Sequence, residues 1–113
     1  MRIGVIGSRG FNDYELVCKE LNPFINEVEL IVSGGAKGAD TLGEKWAKEN
    51  NIQTLIFKPD WNRWGKRAGF IRNTDIVANS DYVIAFWDGA SPGTLSSIKL
   101  CEKSGRKIKI VKY

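Results

Sequence analysis

Five short apolar runs punctuate the chain, at Arg2 to Ile6, Leu30 to Ser33, Thr54 to Phe57, Tyr82 to Trp87 and Lys107 to Val111. Each is rich in β-branched or aromatic residues and bounded by polar or glycine-containing sequence, which predicts strands. Between them the apolar positions change to helical spacing: Ala39, Leu42, Gly43, Trp46 and Ala47 fall at i, i+3, i+4 and form one face. Asn12 or Asp13 is placed to cap a helix that carries Val17, Leu21 and Phe24, with Pro23 near its end. The expected order is β-α-β-α-β-α-β-α-β. Crossovers between parallel strands are right-handed in nearly all cases, so the pattern predicts a doubly wound parallel sheet with helices on both faces. The expected strand order is 3-2-1-4-5, and the nearly continuous apolar runs predict strands covered on both sides.

No linker, repeat or low-complexity stretch breaks the 113 residues, which suit one core of ordinary size. The expectation is a single Rossmann-like α/β domain over residues 1–113. In such a sheet every strand-to-helix loop lies at the carboxyl edge, where open α/β sheets bind ligands, in the crevice at which the strand order reverses. Three of these loops are glycine-rich: Gly7-Ser8-Arg9-Gly10, Ser33-Gly34-Gly35-Ala36-Lys37-Gly38-Ala39-Asp40, and Asp88-Gly89-Ala90-Ser91-Pro92-Gly93-Thr94. Glycine lets backbone N–H groups approach an anion unobstructed, and the helix that follows adds unpaired amides and partial positive charge. The three loops are therefore expected to converge on a phosphate group. Pro92 suits a first helical turn, and Ser91 and Thr94 offer hydroxyls to the same oxygens. Asp40 can cap its own helix or accept a ligand hydroxyl.

The third connection mixes aromatic and basic residues from Trp61 to Asn73. Gly65, Gly69, Arg72, Asn73 and Ile76 fall on one helical stripe, which predicts a close approach by a neighbouring backbone, a subunit or the ligand. In the last case Lys66, Arg72 and Asn73 present charge and hydrogen bonds to the loops. Trp61 and Trp64 can stack on a base, although one of them is expected in the core.

Composition narrows the chemistry. Histidine is absent, which removes histidine triads and the common zinc ligand sets, and no metal site is expected. Cys18 and Cys101 are expected as buried free thiols. With 42% hydrophobic residues and no apolar stretch long enough to span a membrane, a cytoplasmic protein is expected. A net charge of +4 favours anionic partners without separating nucleotides from nucleic acids. Lys37 is followed by Gly38, and the first turn lacks the spacing of a dinucleotide fingerprint, so ATP hydrolysis and hydride transfer lose support.

Taken together, Ile6-Gly7-Ser8-Arg9, the Ser33 to Asp40 loop, Asp60-Trp61, Gly65-Lys66, Ala68-Gly69, Arg72-Asn73, and Ala85-Phe86-Trp87 with Ser91, Gly93 and Thr94 resemble the SLOG superfamily, and within it the small YspA-like branch. That group includes the Lonely-guy (LOG) phosphoribohydrolases, the DNA-processing protein A family and sensor domains for nucleotide-derived signals. The resemblance implies a Rossmann-like fold that binds a nucleotide or nucleotide derivative as sensor, carrier or sequestering module, with no separate cofactor. The LOG-type loop ends in a glutamate that acts on the ribose; Ser97 stands at that position here. A serine cannot supply this carboxylate, so a hydrolase reading needs Asp40 or Asp88 in its place. DNA-processing protein A resembles the chain through Gly7-Ser8-Arg9, the Ser33 to Asp40 loop and Arg72-Asn73, which implies single-stranded DNA as an alternative partner. A homo-oligomer, a dimer or higher, is expected from the glycine-faced helices.

Overall fold

The computed structural model describes residues 1–113. Five parallel strands form one sheet in the order β3-β2-β1-β4-β5. They are β1 (Arg2–Gly7), β2 (Leu30–Ser33), β3 (Gln53–Ile56), β4 (Tyr82–Trp87) and β5 (Lys107–Lys112). The helices are α1 (Tyr14–Leu21), α2 (Ala39–Glu49), the single turn α3 (Trp61–Trp64), α4 (Ala68–Ala78) and α5 (Pro92–Ser104). Strand order, parallel sense and a Rossmann-like α/β architecture agree with the expectation from the sequence. The third strand starts and ends one residue earlier than its apolar run. No helix is long and apolar enough to cross a membrane.

Side chains of successive strand residues alternate between the two faces, and the core divides accordingly. Ile3 and Val5 of β1, Ile31 of β2, and Ile84 and Phe86 of β4 join Val17, Leu21 and Trp46 beneath α1 and α2. Ile6, Val32, Val83 and Ala85 point the other way and meet Ile76, Val77, Ile98 and Cys101 of α4 and α5. Each fully buried aliphatic chain stabilises the fold by roughly 1.5–3 kcal/mol. At Gly43 an added Cβ would lie 2.8 Å from Val5, so α2 can sit this close to β1 only without a side chain there.

Coverage is uneven across the sheet. The central strands β1 and β4 are buried over four consecutive residues, whereas most residues of the edge strands β3 and β5 are exposed. The expectation of strands covered on both faces therefore holds for the middle of the sheet and not for its edges. Asp13 caps α1 by accepting from the Leu16 amide at 3.1 Å, and Pro23 lies in a short 3₁₀ turn over Asn22–Phe24 just after that helix. Cys101 is buried, but Cys18 is only half-buried, and both are free.

Neither tryptophan of the third connection enters the core. Trp61 is 55% exposed and Trp64 is half-buried, while Trp46 takes the interior place, its indole N–H donating to Asn22 Oδ1 at 2.8 Å. The predicted glycine stripe also dissolves. Gly65 lies in a turn at φ +59° with open space where its Cβ would be, and the only nearby atom at Gly69 is a Trp61 ring carbon at 3.7 Å. Gly65 serves a left-handed backbone, and nothing approaches either glycine closely.

Candidate functional site

β1 and β4 are neighbours, but the chain leaves them toward opposite sides of the sheet, into α1 and α5. The crevice that opens between diverging loops at such a switch point is a cleft of about 420 Å³. Its walls come from Gly7 to Gly10, from Ser91 to Thr94 and Ser97 of α5, and from Arg72, Asn73 and Ile76 of α4; Ala36 and Asp40 close it from the α2 side.

The two loops flanking the switch point are tied together by polar contacts. The Ser8 amide donates to Phe86 O at 3.0 Å, and the Asp88 amide donates to Ser8 Oγ at 3.3 Å. Hydroxyl contacts continue from Ser8 Oγ to Ser91 Oγ at 2.9 Å and from there to Asp88 Oδ2 at 3.0 Å. Asp88 Oδ1 also accepts from the amides of Ala90 and Ser91, both at 2.8 Å. The Ser91 amide, then that of Ala90, hold the Asp88 carboxyl below the usual carboxylate range. Asp88 thus shapes the turn before α5.

At the mouth of this frame several donors remain unused. Gly93 and Thr94 lie in the first turn of α5, and their amides have no acceptor in the protein; the same holds for Arg9 and Gly10. Helix N-termini with free amides carry partial positive charge and attract anions. Thr94 and Ser97 are buried beneath them and line the same cleft.

The opposite wall holds a charged pair around Gly34. Arg72 is half-buried; its Nη1 donates to Gly34 O at 2.9 Å and its Nε to Asn73 Oδ1, also at 2.9 Å. Asp40 is 4% exposed, and its Oδ2 accepts from the Gly34 amide at 2.8 Å. Burial pushes the Asp40 carboxyl up to about 6, against the Gly34 hydrogen bond and the Arg72 charge, which pull it down. Burial also lowers the Arg72 guanidinium from its usual value, while Asp40 opposes that change. An added Cβ at Gly34 would stand 2.5 Å from Arg72 Nη1 and 2.9 Å from Asp40 Oδ2, so any side chain there would push both groups aside.

Of the residues singled out in the sequence, Gly7, Ser8, Arg9, Ala36, Asp40, Arg72, Asn73, Ser91, Gly93 and Thr94 come together at the cleft. The Ser33 to Asp40 loop departs from its expected part in two ways. The amides of Gly34 and Gly35 are not offered to a ligand, because they donate to Asp40 Oδ2 and to Ser33 Oγ, the latter at 3.1 Å. Asp40 does not cap its own helix; the residue at the cap is Gly38, and the carboxylate reaches back to the loop before it. Gly38, at φ +87°, packs its α-carbon against the backbone of Ser8 and Arg9. Lys37, Trp61 and Lys66 are exposed and do not line the cleft, and Asp88 is exposed beside it. Ile6, Gly10, Ile76, Pro92 and Ser97 also belong to the lining, beyond the expected ligand contacts; Gly10 was legible as the end of the first glycine turn.

A family model described as the YspA, cpYpsA-related SLOG family matches residues 1–64. The Gene 61 protein of Mycobacterium phage D29 is 32% identical over 113 residues, which spans 92% of this chain and 90% of that one. Among solved structures, DNA processing protein A from Streptococcus pneumoniae superposes with a TM-score of 0.82 at 23% identity, over 96% of this chain and 49% of that one. DNA processing protein A from Helicobacter pylori, described for its single-stranded DNA binding mode, gives a TM-score of 0.76 at 21% identity over 97% and 64%. The chain thus spans less than two thirds of either structure, and at these identities the likeness is one of fold.

Proposed function

Because the chain belongs to the YspA, cpYpsA-related SLOG family, we propose that its cleft binds the phosphate-bearing part of a nucleotide derivative. The observation that carries this reading is that Arg9, Gly10, Gly93 and Thr94, whose amides have no acceptor in the protein, line a cleft that Arg72 also lines. Backbone donors at a helix start, a nearby guanidinium and buried hydroxyls are what a phosphate's several acceptor oxygens require. A volume of about 420 Å³ lies in the range of small-molecule sites. Asp40 is the only carboxylate in the lining, and Ser97 is uncharged. Cleavage of a glycosidic bond commonly calls on two carboxylates, so the reading is binding, as sensor, carrier or sequestering module.

Gly93→Asp tests it. A Cβ at Gly93 meets nothing within 4 Å, and a carboxylate suits the first turn of a helix, so the fold is retained. In the cleft the same charge repels a phosphate. A thermal-shift series with nucleoside mono- and diphosphates and with inorganic phosphate should show ligand-dependent stabilisation of the parent protein. The variant should lose at least about tenfold in affinity. Absence of any shift with the parent protein, or equal shifts in both proteins, would remove the cleft from phosphate binding.

A second reading is single-stranded nucleic acid, favoured by one surface feature. The Arg63 and Arg67 guanidinium carbons lie 4.8 and 5.9 Å from the Trp64 ring centroid, beside the exposed Trp61. Cations and indoles so arranged suit a strand whose bases stack while its phosphates are neutralised. Salt-sensitive gel shifts that Trp61→Ala weakens would favour it over the first.

A further inference from the structure

Beyond the phosphate cleft, α4 and α5 leave a second groove of about 420 Å³ between them, with Phe70 on one side and Leu95 and Leu100 on the other. Phe70 is 56% exposed, and Lys99 and Lys103, one helical turn apart on α5, stand along the same groove. Pro92 lines both this groove and the phosphate cleft, so the two spaces meet over the first turn of α5.

The phosphate cleft itself offers no aromatic ring. Its apolar lining is Ile6, Ile76 and Pro92 among small and polar residues, which suits a sugar phosphate and gives a planar base nothing to stack on. A nucleotide with its phosphate on the Gly93 and Thr94 amides meets an aromatic surface only by projecting its base out of the cleft. We propose that the groove between α4 and α5 is the base subsite of the same ligand, with a purine lying against Phe70 and the sugar passing over Pro92. This rests on the phosphate reading of the cleft. The groove's only charged residues are the two lysines, which leave a neutral base unopposed and draw an anionic nucleotide toward this side of α5. The same lysines oppose the other apolar occupant, a second copy of the chain, since a two-fold contact through this groove would gather two lysines from each copy with no carboxylate in the lining to balance them.

Calorimetric titration with adenosine monophosphate and with ribose 5-phosphate, which shares the sugar phosphate and lacks the base, separates the two halves. Phe70 is exposed, so Phe70→Ala removes little from the core. It should weaken adenosine monophosphate about tenfold and leave ribose 5-phosphate unchanged, while Phe70→Trp keeps the full affinity. Gly93→Asp should weaken both probes. Unaltered adenosine monophosphate binding by Phe70→Ala, or an equal loss with both probes, overturns the base subsite and leaves the phosphate site standing. If ribose 5-phosphate fails to bind the parent protein, the phosphate reading fails and the base subsite falls with it. A concentration-dependent dimer in sedimentation that Phe70→Ala dissociates would assign the groove to subunit contact and overturn the proposal.

Discussion

The β2–α2 loop and the β4–α5 loop are both glycine-rich strand-to-helix turns at the same edge of the sheet, and they end in opposite states. In the first, the amides of Gly34 and Gly35 are taken by Asp40 and Ser33, and a carboxylate fills the place an anion would occupy. In the second, Asp88 occupies the amides of Ala90 and Ser91 only, and those of Gly93 and Thr94 remain open. Carboxylate position relative to the helix start makes the difference. Asp40 lies inside α2 and folds back over the preceding turn, whereas Asp88 sits upstream of Ser91 and ties down the turn without reaching into the first helical turn. The filled loop then acts as a support: Gly38 abuts Ser8 and Arg9, and Gly34 O anchors Arg72, so its contribution to the cleft is placement of other groups.

This contrast breaks most visibly at Gly38. Its φ of +87° disfavours any side chain, and a Cβ would stand 2.3 Å from Ser8 O. Gly38→Ala is expected to destabilise the protein by about 3–5 kcal/mol, read from urea denaturation, through strain and overlap together. A loss below about 1 kcal/mol would mean the two loops are not in contact.

The second effect is pH-dependent and belongs to the filled loop. Asp40 has a folded value of about 6 against an ordinary 3.8, so the folded state holds its proton more tightly than the unfolded chain. Its contribution to stability is then complete below the ordinary value and is lost as pH rises through about 6. Asp40→Asn retains an acceptor for Gly34 and does not titrate. The stability of the parent relative to this variant should fall by about 2–3 kcal/mol between acid and mildly alkaline pH, at about 1.4 kcal/mol for each pKa unit. A difference that stays flat with pH would show that the Gly34 hydrogen bond and the Arg72 charge offset burial in full.

The smallest effect is expected on the open side. Gly10 meets nothing where a Cβ would go and has no positive φ, so Gly10→Ala should change stability by no more than about 0.5 kcal/mol. A larger loss would mean the first turn is as closely packed as the second.

The order of elements along the chain was legible because the apolar runs were short, regularly spaced and separated by helical periodicity; the spatial order β3-β2-β1-β4-β5 rested on the general doubly wound pattern and not on any residue. The glycine loops were legible from residue type, and Arg72 and Asn73 do reach the cleft. The user of each amide was not legible: the Gly34 to Asp40 hydrogen bond depends on how α2 turns back on its loop, a tertiary relation that spacing does not encode. The tryptophans misled for a related reason. A large indole favours burial on average, but α3 and the turn after it lie outside both core clusters, and Trp46 already fills the interior position. Exposure of β3 and β5 was written in residue type: Lys107, Lys109 and Lys112 interrupt the β5 run and Gln53 and Thr54 open β3, which sets both apart from the continuous apolar runs of β1 and β4.

The outermost strand carries a further consequence. β5 reads Lys107, Ile108, Lys109, Ile110, Val111, Lys112 at the open border of the sheet, and Lys109 Nζ is drawn back to Glu20 Oε2 at 2.7 Å. A bare strand border is a template on which another chain can extend the ladder and begin a fibril. Ammonium groups at Lys107, Lys109 and Lys112 make such stacking repulsive between identical molecules, while Ile108 packs toward the α4 and α5 cluster and Val111 toward that of α1 and α2.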